Sequence, residues 1–303
     1  MEHTHRSVRS SNRRLRRRRA DVLKSMTTNR LGKYGDRWSR ADLVLALYLY
    51  CQIPFAKTKA NNAEVMRLAD LIGRTPASVA RKLGNFGAFD PLLAERGISG
   101  LTHTSKDDKL IWDEFRNRWD ALVGESARLL SDLSAPIRDR QHAATAQTAE
   151  DEQIIVRPTG PSERQASMTV RLFQSFFRRA VLASYDSTCC VCGLNIRQLL
   201  VASHIKAWSK NESTRSDPEN GLCLCALHDR AFDRGMIAVS EAFQILVHPA
   251  LTSSRQPFVQ AALADFNNQP LRMPTRFAPR REFLAWHMQN VFGREAGLLR
   301  AER

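Results

Sequence analysis

The sequence lacks the features that mark membrane and secreted proteins. No apolar run approaches the ~20 residues that a helix needs to span a bilayer, and the first residues hold no apolar core of the secretory kind. Six cysteines, most of them in the segments 189–192 and 223–225, do not form the pattern of a disulfide framework. We therefore expect a chain that is neither exported nor membrane-bound, with reduced or metal-bound thiols in a bacterial cytoplasm.

Acidic residues are also scarce relative to basic ones. The chain has 46 lysines and arginines against 31 aspartates and glutamates, a net charge of +15. Eight arginines and one acidic residue lie within the first 19 positions, and the remaining excess is spread along the chain. This balance favours a polyanionic partner, because each neutralised phosphate releases counterions. A solvated tail or a targeting signal is the alternative for the basic segment.

The composition predicts an α+β protein with four segments. Residues 1–30 form a basic arm, and 31–130 show apolar residues at helical spacing. Residues 131–167 turn to alanine, glutamine, threonine, proline and charge, which is typical of a linker, with a short extended piece at 154–158. Residues 168–303 mix helices with short strands and form a second domain.

A helix-turn-helix pattern lies in the first domain. One helix closes at Gly73, and Thr75 followed by Pro76 predicts the N-cap and first residue of the next. Such a pair of helices is suited to DNA binding, with Arg81 and Lys82 as phosphate contacts. The alternative is a helical hairpin with a basic, solvated face.

Two histidines and an asparagine stand out in the second domain. His204 ends an apolar strand, Asn220 precedes a second strand after a polar loop, and His228 lies in the first turn of the following helix. A neutral imidazole is suited to general-base catalysis near neutral pH. An imidazole on the facing helix can hold a metal, and the asparagine can bond the loop backbone. The order predicts one phosphodiester-cleaving site.

The blocks "ASHIKAW" and "DPENGLCLCALHDRAFDRG" resemble the HNH endonucleases, in the subgroup written Ser-His-Ile. The resemblance covers about residues 171–292. It implies a ββα-metal finger and metal-dependent hydrolysis of DNA with Mg2+ or Mn2+, in restriction of or defence against foreign DNA. It makes His204 the general base, Asn220 the middle residue and His228 the metal ligand. The rival interpretation is a non-catalytic DNA-binding regulator with a structural finger.

The sequence departs from the family pattern in two places. Ser203 stands where many HNH proteins carry a metal-binding aspartate. The last HNH residue often lies nine positions after the asparagine, which is Asp229 here, whereas His228 lies at eight. Metal candidates are therefore His228, Asp229 and Ser203, and Asp233 lies on the same helix face as Asp229.

Further expectations concern partners. Lys206 and Arg215 are candidate phosphate contacts near the site. One metal site cuts one strand, so a double-strand break would need two events or a homodimer. An RNA nuclease is a third interpretation, but the sequence offers no aromatic stacking face to support it.

The cysteines leave a second metal site open. Cys189 and Cys192 form a C-x2-C pair that Cys225 and His228 could complete as a tetrahedral zinc site. Cys223 with Cys225 is the other completing pair, because alternate strand residues share a face. Buried reduced thiols are the default expectation.

Overall fold

A computed structural model of the chain describes residues 35–98, 104–138, 161–207 and 214–294. The basic arm 1–30, the extended piece at 154–158 and most of the remaining linker lie outside these ranges. The helices of the first half are α1 Arg40–Gln52, α2 Ala63–Ile72, α3 Pro76–Gly87, α4 Pro91–Glu95, α5 Lys106–Phe115 and α6 Trp119–Arg138.

The second half begins with a long helix and continues with two short antiparallel strand pairs. Its elements are α7 Pro161–Ser184, β1 Leu200–His204, β2 Gly221–Cys225, α8 Ala226–Asp233, β3 Ile237–Val239, β4 Ile245–Val247, α9 Pro249–Thr252, α10 Pro257–Ala262 and α11 Arg281–Asn290. Strand β1 pairs with β2, and β3 with β4. The α+β class predicted from the sequence is confirmed.

Capping residues set the helix-turn-helix in the first half. Helix α2 ends at Gly73, whose φ of 70° is the left-handed conformation that glycine adopts without strain. The Thr75 side chain accepts from the backbone N–H of Ser78, and Pro76 opens α3. Both ends agree with the sequence prediction.

A turn at 116–118 separates α5 from α6. Trp119 starts the new helix, and its ring meets Phe277 edge-on at 5.3 Å between centroids. We attribute the break to this packing, because it turns Trp119 toward the second half of the chain.

Helix α7 belongs to two hydrophobic cores. Phe176 and Ala180 pack into the core of the N-terminal helices. Phe177 and Val181, one residue further along in each case, pack into the core around the strands. The two halves therefore share a helix. Among the described residues, no helix is long and apolar enough to cross a membrane.

Candidate active site and metal centre

The ββα unit is formed by β1, β2 and α8, packed beneath α7. Ser203 pairs with Leu222 and His204 with Gly221 across the strands. A Cβ atom at Gly221 would lie 2.3 Å from Val181 Cγ2 and 3.0 Å from Phe177 Cζ. Glycine is therefore required here, because it lets α7 approach the strand end that carries His204.

A stacked aromatic ring and a backbone carbonyl orient His204. Its ring stacks on Phe177 at 3.6 Å between centroids, with 9° between the planes. Its Nε2 lies 3.0 Å from the Arg215 carbonyl oxygen, so Nε2 carries the proton and Nδ1 is the basic nitrogen. Burial lowers the pKa of His204, and the bond to Arg215 offsets only part of that effect. The imidazole is therefore neutral at pH 7.

Asn220 fixes the loop that follows His204. Its Oδ1 accepts from the Lys206 backbone N–H at 2.9 Å, and its Nδ2 donates to the Lys206 carbonyl at 3.1 Å and the Thr214 carbonyl at 3.4 Å. The Asn220 carbonyl accepts from Ile205 N–H at 2.9 Å. These bonds close the loop at both ends and hold the backbone next to His204.

Oxygen donors gather where β1 meets α8. The Ser203 hydroxyl is buried and, among the described residues, makes no hydrogen bond of normal length. It faces the Asp229 carboxyl closely enough to act on its pKa, which burial raises and the hydroxyl partly lowers. Burial raises the pKa of Asp233 too, and the Asp229 charge adds to that rise. Two neighbouring carboxyls beside a buried hydroxyl offer the oxygen donors that a hard divalent cation prefers.

His228 does not face this group of oxygens. Its Nδ1 lies 3.0 Å from Cys225 Sγ and 3.8 Å from Cys189 Sγ, while its Nε2 donates to the Ala262 carbonyl at 3.0 Å. The carbonyl keeps the proton on Nε2, so the Nδ1 lone pair points at sulfur. This arrangement is typical of a metal-binding histidine oriented by its second nitrogen.

Four ligand atoms converge at this point, with all pairs within 4.8 Å: those of Cys189, Cys192, Cys225 and His228. We name these residues the Cys3His cluster. Burial alone would raise the pKa of Cys189, but the contact with His228 and backbone donors bring it down to about 6. Such a thiol is readily ionised, as zinc ligation requires. Cys223 is not part of the cluster. Burial raises the pKa of Cys223 and of the cluster residue Cys192 alike, to about 12, so Cys189 is the cluster thiol that ionises most readily.

The candidate phosphate contacts have different surroundings. Lys206 is half-buried, with Nζ 5.8 Å from the centroid of the Trp286 ring. Arg215 contributes its carbonyl to His204. In the helical module, Arg81 is exposed on α3, whereas Lys82 is buried and donates to Asp108 at 2.7 Å. As placed, the Lys82 ammonium faces that carboxylate rather than solvent.

Sequence reasoning did not identify Arg280 as part of this region. Its guanidinium donates to Glu219 Oε2 at 2.7 Å and lies 3.2 Å from Asp217 Oδ2, and its backbone N–H donates to the Glu219 carbonyl. It thereby clamps the turn that presents Asn220. No sequence signal would have found it, because 60 residues separate it from Asn220.

The comparisons with known proteins agree with this geometry. Residues 189–240 match the family model described as HNH endonuclease. That segment contains both strands of the ββα unit, helix α8 and the Cys3His cluster. A search of curated proteins gave no match. The family prediction is confirmed, and residues 189–240 form a domain of the HNH endonuclease family.

Proposed function

We propose that the chain is a metal-dependent endonuclease that hydrolyses phosphodiester bonds of DNA. The observation that carries this proposal is the state of His204: it is neutral, its tautomer is fixed, and it directly follows Ser203, whose hydroxyl acts on the pKa of the Asp229 carboxyl. General-base catalysis and a hard-cation site are the two components that such hydrolysis needs.

His204 would act as the general base. A water molecule that attacks phosphorus must lose a proton, and the Nδ1 atom of the neutral imidazole accepts it. The resulting imidazolium stays hydrogen-bonded through Nε2 to the Arg215 carbonyl, which stabilises its positive charge. Phe177 holds the ring in position throughout. Such a base contributes roughly 10²- to 10⁴-fold to the rate.

Ser203, Asp229 and Asp233 would hold the catalytic cation. Mg2+ and Mn2+ prefer oxygen donors of this kind. When bound, such an ion supplies positive charge that stabilises the phosphate as its own negative charge grows. Asp229 thereby takes the metal-binding role at the ninth position after Asn220.

His228 would instead bind zinc with the three thiols. Three sulfurs and one imidazole nitrogen form a closed tetrahedral set, which is typical of a structural rather than a catalytic zinc. The two metal sites then differ in ligand softness, with sulfur on one side of the finger and oxygen on the other. Neighbouring positions of α8 divide the roles, because adjacent helical residues point about 100° apart.

DNA is the partner that the charge of the chain supports. About half of the net charge of +15 lies in the basic arm 1–30 and the rest is spread along the chain, and Lys206 lies close to the site. We place the activity in restriction of foreign DNA, the context that the family resemblance implies. A single site nicks one strand, so double-strand breaks would require a homodimer or two events.

A plasmid assay with Mg2+ or Mn2+ tests the proposal. We expect wild-type protein to nick supercoiled DNA and His204→Ala to lose at least roughly 100-fold in rate. His248→Asn is the matched control, since His248 caps α9 away from the site and asparagine can replace the cap. Equal cutting by wild type and His204→Ala would refute the role of the base. DNA binding without cleavage under any metal would favour the regulator instead.

A further inference from the structure

A cavity of about 300 Å³ opens beside the candidate active site. It lies between the loop after β1 and helix α11, and we name it the Trp286 cavity. Its lining residues are Lys206, Thr214, Arg280, Glu282, Phe283 and Trp286. Lys206 is only two residues from His204, and Asn220 holds its backbone on both sides. The cavity is therefore fixed in position relative to the general base.

The lining combines aromatic rings with cations. Lys206 Nζ lies 5.8 Å from the Trp286 ring centroid, and the Arg280 guanidinium carbon lies 5.6 Å from that of Phe283. Trp286 is half-buried, so part of its ring faces the cavity. Arg280 cannot swing freely, because Asp217 and Glu219 hold it. The Arg280 charge is paired with these carboxylates and with Glu282, so Lys206 is the lining cation that can meet a phosphate. A flat ring next to the Lys206 ammonium matches the two halves of a nucleotide, an aromatic base and a phosphate.

We propose that the Trp286 cavity receives an unstacked nucleobase of the DNA strand, next to the phosphate that is cut. This inference rests on the proposed nuclease function and defines its substrate more narrowly. The bases of an intact duplex have both faces covered by their neighbours, so a base on Trp286 must come from a single-stranded, mismatched or locally opened site. Lys206 then lies between the stacked base and the scissile phosphate and binds the backbone.

Binding to short single strands tests this inference without any cleavage. The protein carries His204→Ala, and fluorescence anisotropy compares an oligodeoxynucleotide with an abasic strand of equal length and phosphate number. Trp286→Leu should weaken binding of the base-bearing strand roughly tenfold and leave the abasic strand unchanged. Trp286→Phe should keep most of the affinity, because it preserves an aromatic face. Phe258→Leu, an exposed aromatic on α10 outside the cavity, should change neither.

Two results would overturn the proposal. Equal weakening on both strands, or equal loss in Trp286→Leu and Trp286→Phe, would assign Trp286 to packing. Unchanged binding of both strands would show that no base occupies the cavity. The binding assay uses a variant that lacks the general base, so it does not depend on cleavage. If the proposed nuclease function is wrong, wild-type protein will not cut plasmid DNA, while binding that depends on the nucleobase can still be observed.

Discussion

Two adjacent residues of α8 have opposite chemical surroundings. His228 turns Nδ1 toward the sulfurs of Cys225 and Cys189, whereas Asp229 faces the Ser203 hydroxyl. Sequence spacing alone left the choice of catalytic metal ligand open between them. The geometry favours Asp229, because His228 lies among soft ligands and is fixed there by the Ala262 carbonyl.

Substitutions at the two positions should separate their roles. His228→Cys converts the cluster to four thiols, which still bind zinc tetrahedrally, so bound zinc and cleavage should both persist within a few-fold. Asp229→Asn should keep zinc and lose at least about 100-fold in Mg2+-dependent cleavage, because a charged ligand is gone. Metal analysis and plasmid nicking measure both quantities. Loss of cleavage in His228→Cys with zinc retained would show that His228 serves the catalytic cation.

The pH dependence of cleavage should report the burial of His204. Burial lowers its pKa from the ordinary value of about 6.5. The neutral, proton-accepting form therefore persists to lower pH, and at saturating metal the acid limb should have its midpoint below 6.5, with a level rate at pH 7–8. Phe177→Ala should move the midpoint upward, because it uncovers the ring. A wild-type midpoint above 6.5 would contradict the buried neutral base.

At the scale of elements, the Cys3His cluster joins a turn, the end of a strand and the start of a helix. Cys189 and Cys192 lie in the turn after α7, Cys225 ends β2, and His228 lies in the first turn of α8. No side-chain bond caps the N-terminus of α8. A bound metal would fix that helix start relative to the turn, and hence the position of Asp229.

Removal of zinc should therefore destabilise the protein. At a thousandfold excess over Kd, a ligand stabilises the folded state by about 4 kcal/mol, or roughly 10 °C in Tm for a domain of this size. A strong chelator should lower the Tm of wild type by this order. Without chelator, Cys192→Ser should already have a Tm close to that of chelator-treated wild type, and the chelator should lower it little further. Cys51→Ala, in the N-terminal core, should respond like wild type, and an equal chelator response in Cys192→Ser would argue against the cluster.

Elements with local signals were predictable from the sequence, and contacts over long separations were not. Gly73 and Thr75 allowed the helix ends to be predicted, because helix capping depends on residues close together in the sequence. The buried ion pair between Lys82 and Asp108 could not be predicted, because 26 residues separate the two in the sequence. The His204, Asn220 and His228 pattern located the site, but which metal each helix residue faces depends on side-chain direction. The position of Trp286 near the site could not be predicted either, since its partner Lys206 lies 80 residues earlier in the sequence.

At the scale of the whole molecule, Arg276 links the second half of the chain to the N-terminal helices. Its side chain is fully buried and donates to the carbonyls of Tyr50 and Ile53, at the C-terminal end of α1. The guanidinium also lies over the Tyr50 ring at 4.6 Å from the centroid. Helix ends leave carbonyls unsatisfied, so α1 depends on a residue more than 220 positions later. Phe277 enters the same core beside it.

Replacing Arg276 should lower the stability of the folded chain. Arg276→Met keeps a long apolar stem but leaves the Tyr50 and Ile53 carbonyls buried without these donors, which we expect to cost about 3–5 kcal/mol. Calorimetry should show a large fall in Tm, and the first half should melt before the second because the fastening is lost. Arg272→Met, an exposed arginine on the same segment, should leave the melting curve unchanged. If Arg276→Met instead melts like wild type in one transition, the halves are held together by the shared helix α7 alone, through Phe176 on one side and Phe177 on the other.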